Sequence, residues 1–249
     1  MAVDRAIQVA RQDGDAPPTL RLYEWARPTV TLGRFQDADS VDADYCSAHG
    51  IDLVRRHTGG RGVLHDDEVT YSVIAGVADG IPRGTNASYR MLCGGLAMAY
   101  GLLGVDAALT SRPRGSRDSA ACYLHTTQAD LSMGVRKLSG SAQVWLGSTV
   151  LQHGSFTISR DIVREASVFR LTAEERERLS QDTLTLESAL GIPPTRTCVR
   201  QAVAEGLAEA LGLDIVAGKL SAGELEIAAR LHSELLQQIP PVSRTAGSR

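Results

Sequence analysis

The order of patterns along the chain predicts an α+β protein, a mixed β-sheet flanked by helices with a helical C-terminal part. Two observations carry this expectation. Short apolar and alternating runs, the mark of strands, fall before Arg160, and from there on the periodicity is helical. A content of 43% hydrophobic and 22% charged residues is that of a soluble globular chain. We read residues 1–249 as a single domain, with an α/β core over 1–160, a helical segment over 161–249 and a flexible tail at 240–249.

Val3, Ala6, Ile7 and Ala10 recur at helical spacing, so the chain opens in an amphipathic helix with no capping residue before it. Asp13-Gly14-Asp15-Ala16-Pro17-Pro18 ends that helix. Residues 20–25 and 29–32 read as strands on either side of Arg27-Pro28, 41–49 as a short helix and 51–54 as an apolar strand. Val69, Tyr71 and Val73 alternate with polar or small residues, which predicts a half-buried strand. Residues 88–103 form the next helix, whose Gly94-Gly95 pair is accounted for by close helix packing. Residues 131–144 read as a hairpin turning at Met133-Gly134, and 150–157 as a further strand. Helices are expected at 172–180, 199–211 and 222–236.

A net charge of −3 provides no global attraction to nucleic acid or anionic membrane. No apolar run approaches the roughly 20 residues of a membrane helix, and Met1 leads straight into charged, helix-forming sequence without a signal-peptide pattern. A cytoplasmic protein with no nucleic-acid or membrane partner is expected. Four cysteines, at positions 46, 93, 122 and 198, contain neither Cys-x-x-Cys nor a Cys/His zinc spacing, so reduced thiols and no metal site are expected.

Three stretches have residues suited to chemistry. Arg55-Arg56-His57-Thr58-Gly59-Gly60-Arg61-Gly62-Val63-Leu64-His65-Asp66 combines glycines, which let backbone approach a ligand, with planar guanidinium donors. It is neither a Walker loop nor a dinucleotide fingerprint, and a structural turn is the competing reading. Arg136-Lys137-Leu138-Ser139-Gly140-Ser141-Ala142-Gln143, followed by Leu151-Gln152-His153-Gly154-Ser155, offers a lysine on a hairpin and a histidine beside a glycine. A solvated lysine and a satisfied strand histidine are the alternatives there. Cys122, in Ser119-Ala120-Ala121-Cys122-Tyr123, lies between a loop carrying Arg112, Arg114 and Arg117 and the lysine hairpin. A nearby cation raises the thiolate fraction of a cysteine, and a bystander thiol is the alternative.

The order of these segments, preceded by Gly33-Arg34-Phe35-Gln36, resembles the lipoate/octanoate protein ligase and transferase family, which shares its fold with biotin protein ligases. The resemblance covers residues 1 to about 160, and the pattern is most similar to the LipM-type octanoyltransferases. In that branch a cysteine followed by an aromatic stands before the hairpin lysine and carries the octanoyl group, and Cys122-Tyr123 occupies that place. The resemblance implies an acyltransferase of lipoate biosynthesis working without cofactor, metal or ATP. Octanoyl acyl carrier protein would acylate Cys122. A lysine of a lipoyl-domain protein, such as the glycine cleavage H protein or a 2-oxoacid dehydrogenase E2, would then take the group as an amide. Lys137 would sit at the acyl carbonyl and favour the thiolate. Backbone amides near the Gly-rich loop would supply oxyanion donors. Substrate binding is implied for Arg56, Thr58, Gly59, Gly60, Arg61, Gly62 and His65 in the first motif, and for Ser139, Gly140, Ser141, Ala142, His153 and Gly154 in the later two.

Relative to the family pattern, Met1-Ala2-Val3-Asp4 matches the end of an Asn-Met-Ala-x-Asp stretch, so the strand and loop that usually precede it are expected to be missing. The resemblance to a transferase leads to the expectation that the accessory domain of larger lipoate ligases is absent. Three other readings stay open: an amidotransferase between lipoyl-domain proteins, an ATP-dependent lipoate ligase with Cys122 incidental, and a non-catalytic binder of carrier protein.

Overall fold

The structure is a computed structural model and describes residues 1–110, 114–115, 119–127 and 130–237. The chain opens with helix α1 (Ala2–Asp13), strands β1 (Thr19–Tyr23) and β2 (Thr29–Leu32), helix α2 (Ala43–Ala48), and strands β3 (Asp52–Arg55), β4 (Val63–His65) and β5 (Glu68–Gly76). Helix α3 (Thr85–Leu102) follows, then short strands β6 (Ala108–Leu109), β7 (Arg114–Gly115), β8 (His125–Thr126), β9 (Leu131–Met133) and β10 (Arg136–Ser139). Strands β11 (Ser141–Leu146) and β12 (Thr149–Thr157) lead to helices α4 (Ile162–Val168), α5 (Ala173–Asp182), α6 (Leu186–Leu190), α7 (Arg196–Leu211) and α8 (Ala222–Gln237). The expected α+β class with a helical C-terminal part is what the chain adopts. The expected flexible tail, 240–249, lies outside the described residues.

The β part is divided rather than continuous. An antiparallel sheet runs β1-β5-β12-β11, and a mixed sheet runs β3-β2-β4, with β3 parallel and β4 antiparallel to β2. A third sheet, β10-β9-β6, and the pair β7-β8 complete it. The expected hairpin over 131–144 is corrected accordingly. Its turn lies at Gly134 (φ 61°), but β10 ends at Ser139 after a register shift, and β11 leaves to pair with β12 in the large sheet.

Strand β5 is buried on both faces, not one. Val69, Tyr71 and Val73 face the principal core with Leu92, Leu96 and Phe156, while Ile74 meets Ile7 of α1 and Leu151 on the other side. The alternating polar residues are not solvated: Ser72 donates to Asp4 Oδ1 of α1 at 2.8 Å, and Thr70 Oγ1 accepts from Trp25 Nε1 at 2.9 Å. The uncapped N-terminus of α1 is as expected, and Gly14 in the left-handed region (φ 90°) closes its other end. In α3, Gly95 lets α7 approach. A Cβ there would stand 2.9 Å from Ala210 Cβ, whereas one at Gly94 would meet nothing.

A second core matters most for the site. Val30, Leu32, Cys46 and Ile51 from the mixed sheet and α2 pack with Ala121, Tyr123 and Leu124, and with Val168, Phe169 and Leu179 from α4 and α5. The segment around Cys122 is therefore gripped between the mixed sheet and the helical C-terminal part.

Candidate active site

Cys122 begins a single 3-10 turn, Cys122–Leu124. Two backbone hydrogen bonds seat that turn on the Gly-rich loop: Gly62 N donates to Ala120 O at 3.0 Å, and Cys122 N to Gly62 O at 2.9 Å. Gln36 Nε2 donates to Ala120 O at 3.2 Å, and the Arg61 guanidinium donates to Ser119 O. Motifs far apart in sequence thus build one seat. The amides of Gly62 and Cys122 are committed to it, so neither serves as an oxyanion donor in this arrangement.

The loop itself is organised by Arg56, which is buried. Its guanidinium donates to Thr31 O at 3.0 Å, Thr58 Oγ1 at 3.1 Å, Gly59 O at 2.8 Å and Arg61 O at 2.8 Å. These bonds replace the hydration that a buried cation has lost. Gly60 takes a positive φ of 92°, and its carbonyl lies where a Cβ on Gly33 would stand, 1.8 Å away. Both positions therefore require glycine.

A cavity of about 550 Å3, its open mouth included, borders this seat. Of the residues singled out in the sequence, Arg56, Gly60, His65 and Cys122 line it, as do Gly140–Ala142 from the start of β11, and His153 and Gly154 from β12. Thr58, Gly59, Arg61, Gly62, Lys137 and Ser139 do not line it; they stand behind the wall as its support. Thr58, for instance, bonds His153 Nε2 at 2.7 Å, and Ser139 Oγ donates to Ser155 O at 3.0 Å. Thr31, Val63, Thr70, Tyr123 and Ser155 also line the cavity, although the sequence did not mark them as site residues. Of the basic loop, Arg112 and Arg117 lie outside the described residues, and Arg114 is described only as a backbone position in β7.

Lys137 is buried, with its Nζ 3.8 Å from Cys122 Sγ. It donates to Cys122 O at 3.1 Å and His125 O at 2.7 Å, and pairs with Asp130 Oδ2 at 3.2 Å. An ammonium has three N–H donors, and three oxygens take them. Contact with an acyl carbonyl would therefore release one of these bonds. Gly140 leaves room for the ammonium: a Cβ there would come within 3.2 Å of Nζ. Asp130 is a buried member of the site that the sequence reading missed. The one signal for it was a carboxylate directly before an apolar strand.

The two histidines on the cavity wall, His65 and His153, have structural partners. His65 bonds Thr31 Oγ1 at 2.9 Å through Nε2 and Glu68 Oε1 at 2.7 Å through Nδ1, and it stacks on Trp25. Burial works to raise the Glu68 carboxyl, but the charge and hydrogen bond of His65, with bonds from Thr70 and Ser155, outweigh it and hold the group below its usual range. Burial pushes His153 down to about 3, against the Asp4 carboxylate and with the Arg56 guanidinium. The ring is neutral at physiological pH. Among the other cysteines, burial raises the thiols of Cys46 to about 11 and Cys93 to about 12, while Cys198 is exposed on α7. Of the four, Cys122 is the one on the cavity wall. Among the described residues no cluster of three His, Cys, Asp or Glu could hold a metal ion, and no helix is long and apolar enough to cross a membrane.

Sequence comparison decides the family. The model described as the lipoyl protein ligase A/B catalytic domain matches residues 1–208, beyond the 160 or so that the motifs alone marked. The chain belongs to this family. Within it, the chain is 39% identical to the octanoyltransferase LipM of Kyrpidia tusciae, over 95% of this chain and 91% of the relative. It is 38% identical to the octanoyltransferase LipM of Symbiobacterium thermophilum, over 90% and 86%. A crystal structure of lipoate-protein ligase A bound with ATP superposes with a TM-score of 0.78 and 26% identity, over 94% of this chain and 88% of that one. The family match runs to residue 208, within α7, so helices α4 to α6 and most of α7 fall inside it.

Proposed function

We propose that this acyltransferase moves an octanoyl group from acyl carrier protein, through a thioester on Cys122, to a lysine of a lipoyl-domain protein in lipoate biosynthesis. The observation that supports the thioester route best is the pairing of Cys122, on the cavity wall, with the buried ammonium of Lys137, 3.8 Å from its sulfur. The likeness to octanoyltransferases of the LipM type over nearly the whole chain supports the acyl group and the reaction.

In the first half-reaction the Cys122 thiolate attacks the carbonyl carbon of the donor thioester. A new C–S bond forms, the old one breaks, and the carrier's pantetheine sulfur leaves and takes up a proton. In the second, the neutral amine of the acceptor lysine attacks the acyl-enzyme. A C–N bond forms, Cys122 leaves as thiol or thiolate, and the amine gives up one proton. The donor thioester already holds the activation, so neither half-reaction needs ATP. Lys137 acts through its charge on Cys122 and by bracing the turn through Cys122 O and His125 O. Arg56, Gly60 and Gly140–Ala142 form walls of the acyl slot, held by Thr58, Gly59, Arg61, Gly62 and Ser139 from behind. His65, His153 and Gly154 complete the walls. Reaction among reduced thiols without a metal suits a cytoplasmic enzyme.

The test is reconstitution with octanoyl acyl carrier protein and a lipoyl domain in the absence of ATP. One octanoyl group on the acceptor lysine is the expected result. A second reading, an ATP-dependent lipoate ligase, draws on the structural likeness to lipoate-protein ligase A. Modification only when ATP and free lipoate or octanoate are supplied would establish that reading and displace the first.

A further inference from the structure

Arg160 closes the segment after β12, well separated in sequence from Cys122 and Lys137, yet it touches the supports of both. Its guanidinium carbon lies 3.8 Å from the centroid of the Tyr123 ring, the residue that follows Cys122. Its Nη1 donates to Thr183 Oγ1 at 2.6 Å, and its Nε pairs with Glu165 Oε2 at 3.2 Å. The next residue after Thr183, Leu184, donates its N–H to Lys137 O at 2.7 Å, so this strand-like contact fixes the backbone of the lysine. Tyr123 is buried, and its hydroxyl is bonded to Thr157 Oγ1 at 2.8 Å. One planar cation therefore joins the Cys122 turn to the stretch that holds Lys137.

We propose that Arg160 is a positioning residue for acyl transfer, stacking on Tyr123 and bonding Thr183 so as to fix Cys122 Sγ relative to Lys137 Nζ. The inference rests on Cys122 as the nucleophile. Fold stability alone is a poor account of this guanidinium. A buried ion pair is a weak stabiliser compared with apolar residues of the same volume. The Glu165 carboxyl is raised by burial in spite of Arg160, and Arg160 Nη2 is buried with no hydrogen-bond partner among the described residues. A guanidinium is suited to the geometric task, because one rigid plane can stack on a ring and donate at its edge at once. Phe169, on the same C-terminal segment, packs against Gly62 and shares the core cluster of Ala121 and Tyr123.

The experiment compares wild type, Arg160→Met, Arg160→Lys, Tyr123→Leu and the Arg160→Met/Tyr123→Leu double variant. The readouts are the single-turnover rate of Cys122 acylation by octanoyl carrier protein, KM for that donor, and thermal melting. A misplacement near 1 Å predicts an acylation rate lower by roughly 100-fold in Arg160→Met, in protein still folded at the assay temperature. KM for the donor should stay within about twofold, since donor binding is untouched. The double variant should be no slower than the slower single one, because both break the same link. Arg160→Lys restores the charge without the plane, so it should recover part of the rate. If Arg160→Met does not fold, the lysine variant is decisive by the same assay. Wild-type acylation of Cys122 with an unchanged rate in folded Arg160→Met or Arg160→Lys, or with losses that multiply in the double variant, overturns the positioning role and leaves the thioester mechanism standing. Octanoyl transfer by wild type without any adduct on Cys122 overturns the mechanism, and the positioning role with it.

Discussion

Lys137 Nζ stands 3.8 Å from Cys122 Sγ while donating to the carbonyl oxygen of the same cysteine at 3.1 Å. The ammonium thus fixes the backbone of the proposed nucleophile and places a positive charge beside its sulfur. Lys137→Met should lower octanoyl transfer by 100-fold or more, about 3 kcal/mol of transition-state stabilisation. Lys137→Arg should lose nearly as much, because a planar fork cannot satisfy the compact arrangement of three oxygens around Nζ. Near-wild-type turnover in either folded variant contradicts the assignment.

Asp130 separates the structural from the chemical role of this lysine. Removing one partner of a buried ion pair typically costs about 3–5 kcal/mol, because the other charge stays buried. Asp130→Asn and Lys137→Met should each destabilise on that scale in urea unfolding. The double variant should recover much of the stability and none of the activity. Recovery of transfer in the double variant would show that Lys137 matters only as a counter-ion.

The cysteines make a sharper contrast. Cys46 and Cys93 are buried with raised thiol pKa values, and Cys198 is on the surface of α7. Alanine at each of these three should leave transfer intact, whereas Cys122→Ser, nearly isosteric, should abolish it without unfolding the protein. An essential thiol among the first three would move the nucleophile elsewhere.

His153 sets a pH dependence. Its pKa is about 3 in the folded chain, below an unfolded value near 6.5, so the unfolded state takes up a proton first as pH falls. Stability is complete above about pH 6.5 and is lost on the way down to about pH 3, with a loss from this ring of about 2 kcal/mol at pH 5. His153→Gln, which can keep a bond to Thr58, should flatten the decline between pH 7 and pH 5. An unchanged slope in the urea-unfolding series would remove His153 as its cause.

What was legible in the sequence follows from where the information resides. Helix α1, strand β2 and helices α3, α7 and α8 have periodic apolar faces of their own, and all were readable. Strand β4 is three residues inside a Gly-rich loop, and α4 and α6 are too short for a period to register. The two-sided burial of β5 was hidden because Ser72 reads as solvent-facing until α1 is seen to bond it, and Thr70 until Trp25 is seen to do so. In the site, motif order pointed to Cys122, Lys137 and the Gly-rich loop. Tyr123 was visible only as the aromatic that follows the cysteine, Asp130 only as a carboxylate before an apolar strand, and Arg160 has no local signature. Their significance arises from contacts that only the folded chain makes, such as the guanidinium on the Tyr123 ring.

The central claim is that Cys122 bears the acyl group, and intact-mass analysis after brief incubation with octanoyl acyl carrier protein, without acceptor, tests it most directly. The account predicts a gain of one octanoyl group, located on Cys122 by peptide mapping, removed by hydroxylamine, absent in Cys122→Ser, and discharged when a lipoyl domain is added. Sustained octanoyl transfer to the lipoyl domain with no adduct on Cys122 would contradict it.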